Sequence, residues 1–142
     1  MQVVVITGRN KALKGELQRL HPGSDKLRVE GFVDDVAGYL AASDVLVGKG
    51  GPASVYEALA VGRPVLVTNY VGLNERAVVR FIEHQGLGHH VKSPAALLEK
   101  VQHYASNPAS LWEVGLRCRR LDLATKTEQL ARYLVRYAYD SA

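Results

Sequence analysis

The feature that most limits how this chain can fold is an alternation, repeated about five times, of short β-branched apolar runs with segments of helical periodicity. The first run, Val3 to Ile6, ends at Thr7, Gly8, Arg9 and Asn10 and reads as a buried strand followed by a loop. Lys11 to Leu20 carries Leu13, Leu17 and Leu20 at helical spacing, and His21-Pro22-Gly23-Ser24 stops that helix. Leu27 to Val33 reads as a second strand. A short helix through Tyr39, Leu40 and Ala41 follows, with Asp34 or Asp35 as its N-cap. Further strands are expected at Asp44 to Gly48, Pro64 to Thr68 and Leu87 to Val91, with helices at Ala53 to Val61 and Glu75 to His84 between them. Beyond Ser93 the chain reads as helical. Pro94 sits near the first helical position, Leu97, Leu98 and Val101 share a face, and Asn107-Pro108 breaks the run. Two more helices are expected, Ala109 to Leu121 and Thr125 to Tyr139, the last with Leu130, Leu134 and Tyr137 on one stripe. Regular strand–helix alternation implies an α/β fold: a doubly wound parallel sheet with helices on both faces.

A chain of 142 residues holds one domain of this kind and hardly two. No run approaches the ~20 apolar residues of a membrane span. The opening MQVVVITGRN has neither a basic start nor a cleavage-like site. Cys118 is the single cysteine, so no internal disulfide can form and a cytoplasmic location is expected. The net charge is +4, yet the only tight basic group, Arg117, Arg119 and Arg120, is flanked by Glu113 and Asp122. That grouping reads as a solvated helix face, and no nucleic-acid partner is expected.

Parallel sheets of this kind bind ligands at the carboxyl ends of their strands, so the loops there matter most. In Gly50 to Glu57, the two glycines let the backbone turn sharply and approach a ligand, and Pro52 suits the first helical position. The N–H groups of Ala53 and Ser54 then point out of a positive helix end, which fits a diphosphate. Glu57 lies one turn on, where its carboxylate can accept from the vicinal hydroxyls of a ribose. The competing structural reading makes Ser54-x-x-Glu57 a capping box. A second loop ends in Asn74 and Glu75, an amide and a carboxylate that can read sugar hydroxyls, or equally an N-cap and a dipole-facing acid. In the third, Gly31 to Asp35, Phe32 can pack beside a base whose edge pairs with the backbone, or the segment is a capped strand end. The Asp34-Asp35 pair lacks a third carboxylate at metal-ligand spacing, so no metal is expected. His89 and His90, adjacent on a strand, point to opposite faces and cannot chelate one ion together. Cys118, with no histidine near it in sequence, reads as a packed thiol.

Taken together, Val3 to Leu98 resembles the donor-binding half of family 28 glycosyltransferases, closest to monogalactosyldiacylglycerol synthases and processive diacylglycerol glycosyltransferases. The resemblance rests on Val5 to Asn10, Gly31 to Asp35 with Ala42-Ser43-Asp44, Lys49 to Leu59 with Gly62-Arg63-Pro64, Asn74-Glu75, and Gly86-Leu87-Gly88. It implies the C-terminal, Rossmann-like half of a GT-B fold, lacking its first strand. It implies a UDP-sugar donor, no cofactor and no obligatory metal. Phe32 and Val33 would meet uracil, Gly51, Pro52, Ala53 and Ser54 the diphosphate, Glu57 the ribose, and Asn74 with Glu75 the hexose. Gly8 belongs to the same donor-binding set, and Arg9 and Lys49 would offset the charge of the leaving diphosphate. The activity implied is an inverting hexosyltransfer to a lipid such as diacylglycerol, with a peripheral contact at the cytoplasmic membrane.

Two departures are plain in the sequence. The family's sugar-reading pair is usually Gln-Glu, and here it is Asn74-Glu75; the family's Gly-Pro-Gly-Thr is Gly51-Pro52-Ala53-Ser54. The acceptor-binding N-terminal domain, with its general base, is not in this sequence, so no catalytic residue is assigned. Met1 is therefore expected to open a fragment or a split half of a longer enzyme, and an N-terminal domain or subunit is the expected partner. The alternatives are a non-catalytic nucleotide-sugar-binding subunit and an enzyme of this architecture that epimerises a UDP-sugar.

Overall fold

A computed structural model of the chain describes residues 1–140, which divide into two compact units, Met1–Val36 and the residues from Ala37 onward. The first unit is a βαβ arrangement of β1 (Val3–Ile6), α1 (Lys11–Leu20) and β2 (Leu27–Glu30). β1 and β2 are parallel, with Val3 opposite Leu27 and Ile6 opposite Glu30. α1 begins where Asn10 Oδ1 accepts the Leu13 N–H at 3.0 Å, a side-chain N-cap. β2 stops at Glu30, three residues short of the expected end.

The expectation that β1 is buried does not hold. Val3, Val4 and Ile6 are 43%, 42% and 40% exposed. Two short strands and one helix packed chiefly on β2 cannot close both faces of β1. The β-branched run therefore specifies the strand without specifying a cover for it.

The second unit begins with α2 (Val36–Ala42), whose first residue lies at the junction, and continues as β3 (Leu46–Lys49), α3 (Pro52–Ala60), β4 (Val65–Asn69), α4 (Gly72–His84) and β5 (Gly88–His90). Three helices finish it: α5 (Pro94–Ser106), α6 (Pro108–Arg120) and α7 (Leu123–Asp140). Its sheet is parallel with the order β3-β4-β5, so the hydrogen-bonded strands fall into two sheets, β1-β2 and β3-β4-β5.

β4 is the axis of the core. Val65, Leu66 and Val67 are fully buried, and the alternation of a strand sends them to opposite faces. Val65 and Val67 join Val55, Ala58 and Leu59 of α3 with Val78, Val79 and Ile82 of α4 and Cys118 of α6. Leu66 joins Val91 and Tyr104, backed by Leu97, Val101 and Leu111. Helices therefore cover both faces, as a doubly wound sheet requires. At the β4–β5 ladder the backbones approach so closely that a Cβ on Gly88 would lie 2.0 Å from the Val65 carbonyl oxygen.

Two apolar stripes differ from their sequence reading. Leu98 faces outward from α5, unlike Leu97 and Val101. Leu123 at the start of α7 packs on the core, whereas Leu130, Leu134 and Tyr137 further along are 58%, 55% and 63% exposed. Among the described residues, no helix is long and apolar enough to cross a membrane.

Candidate functional site

The ends of β3 and β4 position the groups that the sequence singled out in the second unit. After Lys49 the chain crosses onto β4: the Gly50 N–H donates to the Asn69 carbonyl at 2.9 Å. A Cβ on Gly50 would stand 3.1–3.3 Å from side-chain atoms of Val79, Tyr70 and Val67, so glycine lets the turn lie tight against the sheet where a larger residue would make these neighbours give way slightly. Gly51 is the N-cap of α3, in an extended conformation, and Pro52 occupies the first helical position. The first intrahelical bond runs from the Val55 N–H to the Gly51 carbonyl at 3.1 Å. The N–H groups of Ala53 and Ser54 thus have no carbonyl one turn behind them, and Gly51 brings no side chain to cap them. Ala53 and Ser54 are exposed, and so is Glu57 one turn later. This is a bare helix end, favourable to an anion.

Ser54-x-x-Glu57 is not a capping box. The serine of such a box must be the N-cap, and here Ser54 is the third residue of the helix. Among the described residues, neither the Ser54 hydroxyl nor the Glu57 carboxylate has a side-chain partner.

The second loop differs from its sequence reading. α4 starts at Gly72, not Glu75, so Asn74 lies inside the first turn and is no N-cap. Gly72 has φ +74, a left-handed backbone that glycine allows where other residues would be strained. Val71 is the N-cap, and the Glu75 carboxylate reaches back to accept its N–H at 2.5 Å. The other carboxylate oxygen meets Lys49 Nζ at 2.9 Å. The bond from Lys49, then that from the Val71 N–H, holds the Glu75 carboxyl below its ordinary range. Lys49, expected to face the diphosphate, is therefore engaged by Glu75. Asn74 is exposed beside them. The sequence reading missed this pairing, although a lysine ending one strand and a glutamate following its parallel neighbour was a signal for it.

In the first unit, Gly8 adopts φ +57, and its N–H donates to the Gly31 carbonyl at 3.2 Å. The Thr7 hydroxyl donates to the Glu30 carbonyl at 2.9 Å. These bonds tie the ends of β1 and β2 together and place Arg9 with its guanidinium carbon 5.5 Å from the centroid of the Phe32 ring. Phe32 is 63% exposed and Val33 is partly buried.

The remaining candidates stay outside the site. Among the described residues, no three His, Cys, Asp or Glu side chains cluster as metal ligands. His89 stands by Tyr104 and His90 by Tyr70, at ring distances of 6.5 and 5.1 Å, on opposite sides of β5. Burial pushes the Cys118 thiol up to about 11, which suits a packed thiol and not a nucleophile.

A parallel α/β sheet wrapped by helices, with an uncapped helix end at its carboxyl edge, defines the class: this is a Rossmann-like α/β domain. The chain belongs to the glycosyl transferases group 1 family, whose profile matches residues 2–107. The monogalactosyldiacylglycerol synthase of Spinacia oleracea is 31% identical over 103 residues, covering 72% of this chain and 20% of that protein. The processive diacylglycerol β-glucosyltransferase of Bacillus subtilis is 31% identical over 129 residues, covering 90% of this chain and 34% of that protein. The chain thus spans about a fifth to a third of the length of these relatives. Among solved structures, the glycotransferase of kitacinnamycin superposes with a TM-score of 0.60 at 19% identity, covering 84% of this chain and 38% of that one, a likeness of fold.

Proposed function

We propose that this chain is a single UDP-sugar-binding domain, the donor half of an inverting hexosyltransferase that acts on a lipid acceptor such as diacylglycerol. The observation that carries the reading is the α3 N-terminus: two outward N–H groups and an uncommitted glutamate one turn later share one exposed face. A diphosphate at Ala53 and Ser54 would gain two backbone donors and the helix dipole. A ribose on the same ligand would place its vicinal hydroxyls on Glu57. Asn74 and Glu75 would then read the hexose, one mainly donating and the other accepting. The lipid acceptor is supported by the names of the relatives, a galactolipid synthase and a diacylglycerol glucosyltransferase.

Donor binding alone does not transfer a sugar. The acceptor must be held against the anomeric carbon and a base must take its proton, work that falls to an N-terminal acceptor domain or subunit. The backbone donors of α3 would meanwhile stabilise the leaving diphosphate without a metal. That division predicts donor binding and little transfer by this chain. It also predicts contact with a cytoplasmic membrane surface when the acceptor is engaged.

Calorimetric titration with UDP, UDP-galactose, UDP-glucose and UDP-N-acetylglucosamine tests the reading. Saturable heats for UDP and at least one UDP-hexose are expected. Equal and negligible heats for all four would overturn it.

A further inference from the structure

We propose that Lys49 is a positioning residue for sugar recognition, holding the Glu75 carboxylate in place for the donor hexose instead of binding the diphosphate. The inference rests on the donor-site reading above and assigns one further residue within it.

Three features lead there. First, the β3–β4 ladder is irregular at this point: Gly48 pairs with Val67, but Lys49 pairs with Asn69, so Thr68 is skipped. An irregularity of this kind re-aims the side chain beside it. Here it is pinned by the Thr68 hydroxyl, which donates to the Gly48 carbonyl at 3.2 Å. Second, the re-aimed Lys49 reaches across to α4, and its ammonium lies 2.9 Å from Glu75. Third, Glu75 is held from both ends, by Lys49 on one oxygen and by the Val71 N–H on the other. A carboxylate has about four acceptor positions, so each oxygen keeps one for an O–H donor. The result is an ionised acceptor pair of fixed orientation, which vicinal sugar hydroxyls can meet without first ordering a mobile side chain.

The pair is unsuited to a mainly stabilising role. The Lys49 side chain is 51% exposed and that of Glu75 is 15% exposed, so solvent screens the attraction. The gain lies in fixing the carboxylate, which does not require a dry ion pair. An ammonium already neutralised by a carboxylate is also a poorer diphosphate ligand than a free one.

The test uses the 142-residue chain with Lys49→Met, which keeps the apolar stem, and Lys49→Arg, which restores the charge. Affinities for UDP and for the preferred UDP-hexose are measured by calorimetry, and the Glu75 carboxyl is titrated by NMR without ligand. Lys49→Met should leave UDP affinity within about twofold and cut the preference for UDP-hexose over UDP about tenfold, the worth of one hydrogen bond to a charged group. Lys49→Arg should recover most of that preference. In Lys49→Met the Glu75 titration should move up toward the ordinary glutamate range. Equal weakening of UDP and UDP-hexose would return Lys49 to the diphosphate and overturn the proposal. An unchanged preference, or an unmoved Glu75 titration, would also overturn it. If the unaltered chain binds neither UDP nor any UDP-hexose, the donor-site reading falls and takes this inference with it. The four titrations separate that outcome from a failure of Lys49 alone.

Discussion

Glu57→Ala separates a ligand carboxylate from a structural one. Glu57 lies in the interior of α3, exposed, with no side-chain partner among the described residues. Its removal breaks no bond of the free protein, and alanine is the better helix former by a few tenths of a kcal/mol. A surface change of this kind moves stability by within about 0.5 kcal/mol, or roughly 2 °C in Tm for a domain of this size. Ligand affinity should respond differently. A bound ribose would lose hydrogen bonds to a charged acceptor, worth about 1.5–3 kcal/mol, so UDP binding should weaken roughly 10- to 150-fold. Calorimetry gives the affinity, and a thermal melt of the same sample gives the stability. A melt lowered by about 5 °C or more with UDP affinity intact would show that Glu57 serves the helix and not a ligand, and the reasoning from the bare α3 terminus would fail with it.

Two other outcomes can be checked on the free protein. Gly88→Ala drives a Cβ to within 2.0 Å of the Val65 carbonyl oxygen, a backbone atom that cannot rotate away, and should cost about 3 kcal/mol or more, read as a lower urea midpoint. His89 has its pKa lowered below 6.5, first by burial and then by Lys100 and His103, with Glu83 opposing. A base whose folded pKa is depressed binds fewer protons when folded than when unfolded. Its stabilising contribution is therefore whole above 6.5 and is lost as the pH falls through the lowered value. NMR should show the His89 ring titrating below 6.5, and urea midpoints should begin to fall under pH 6.5.

Much of the fold was legible because strand and helix leave different periods in the sequence. Val65, Leu66 and Val67 form a continuous apolar run, and the structure buries all three as the central strand. Ser93 and Pro94 announce a helix start, and Ser93 Oγ accepts the Ala96 N–H at 3.1 Å. Boundaries were less legible where a cap comes from elsewhere in the chain. α4 begins three residues before the expected start at Glu75 because Glu75 reaches back to Val71, so a residue inside the helix supplies the cap. Likewise, the spacing of Ser54 and Glu57 fits both a capping box and a ligand edge. Only the placement of Gly51 as the N-cap rules out the box.

The sequence alone determined the order of strands and helices, the glycine-rich approach to α3 and the family resemblance, because each is written in local pattern and residue type. It could not determine which strands share a sheet, that β1 keeps an open face, or that Lys49 meets Glu75. Those depend on parallel neighbours brought together across intervening helices, and on a register irregularity that turns one lysine toward the next helix. Local preference fixes what a segment is, whereas the partner of a charged side chain is decided by which backbones lie beside it.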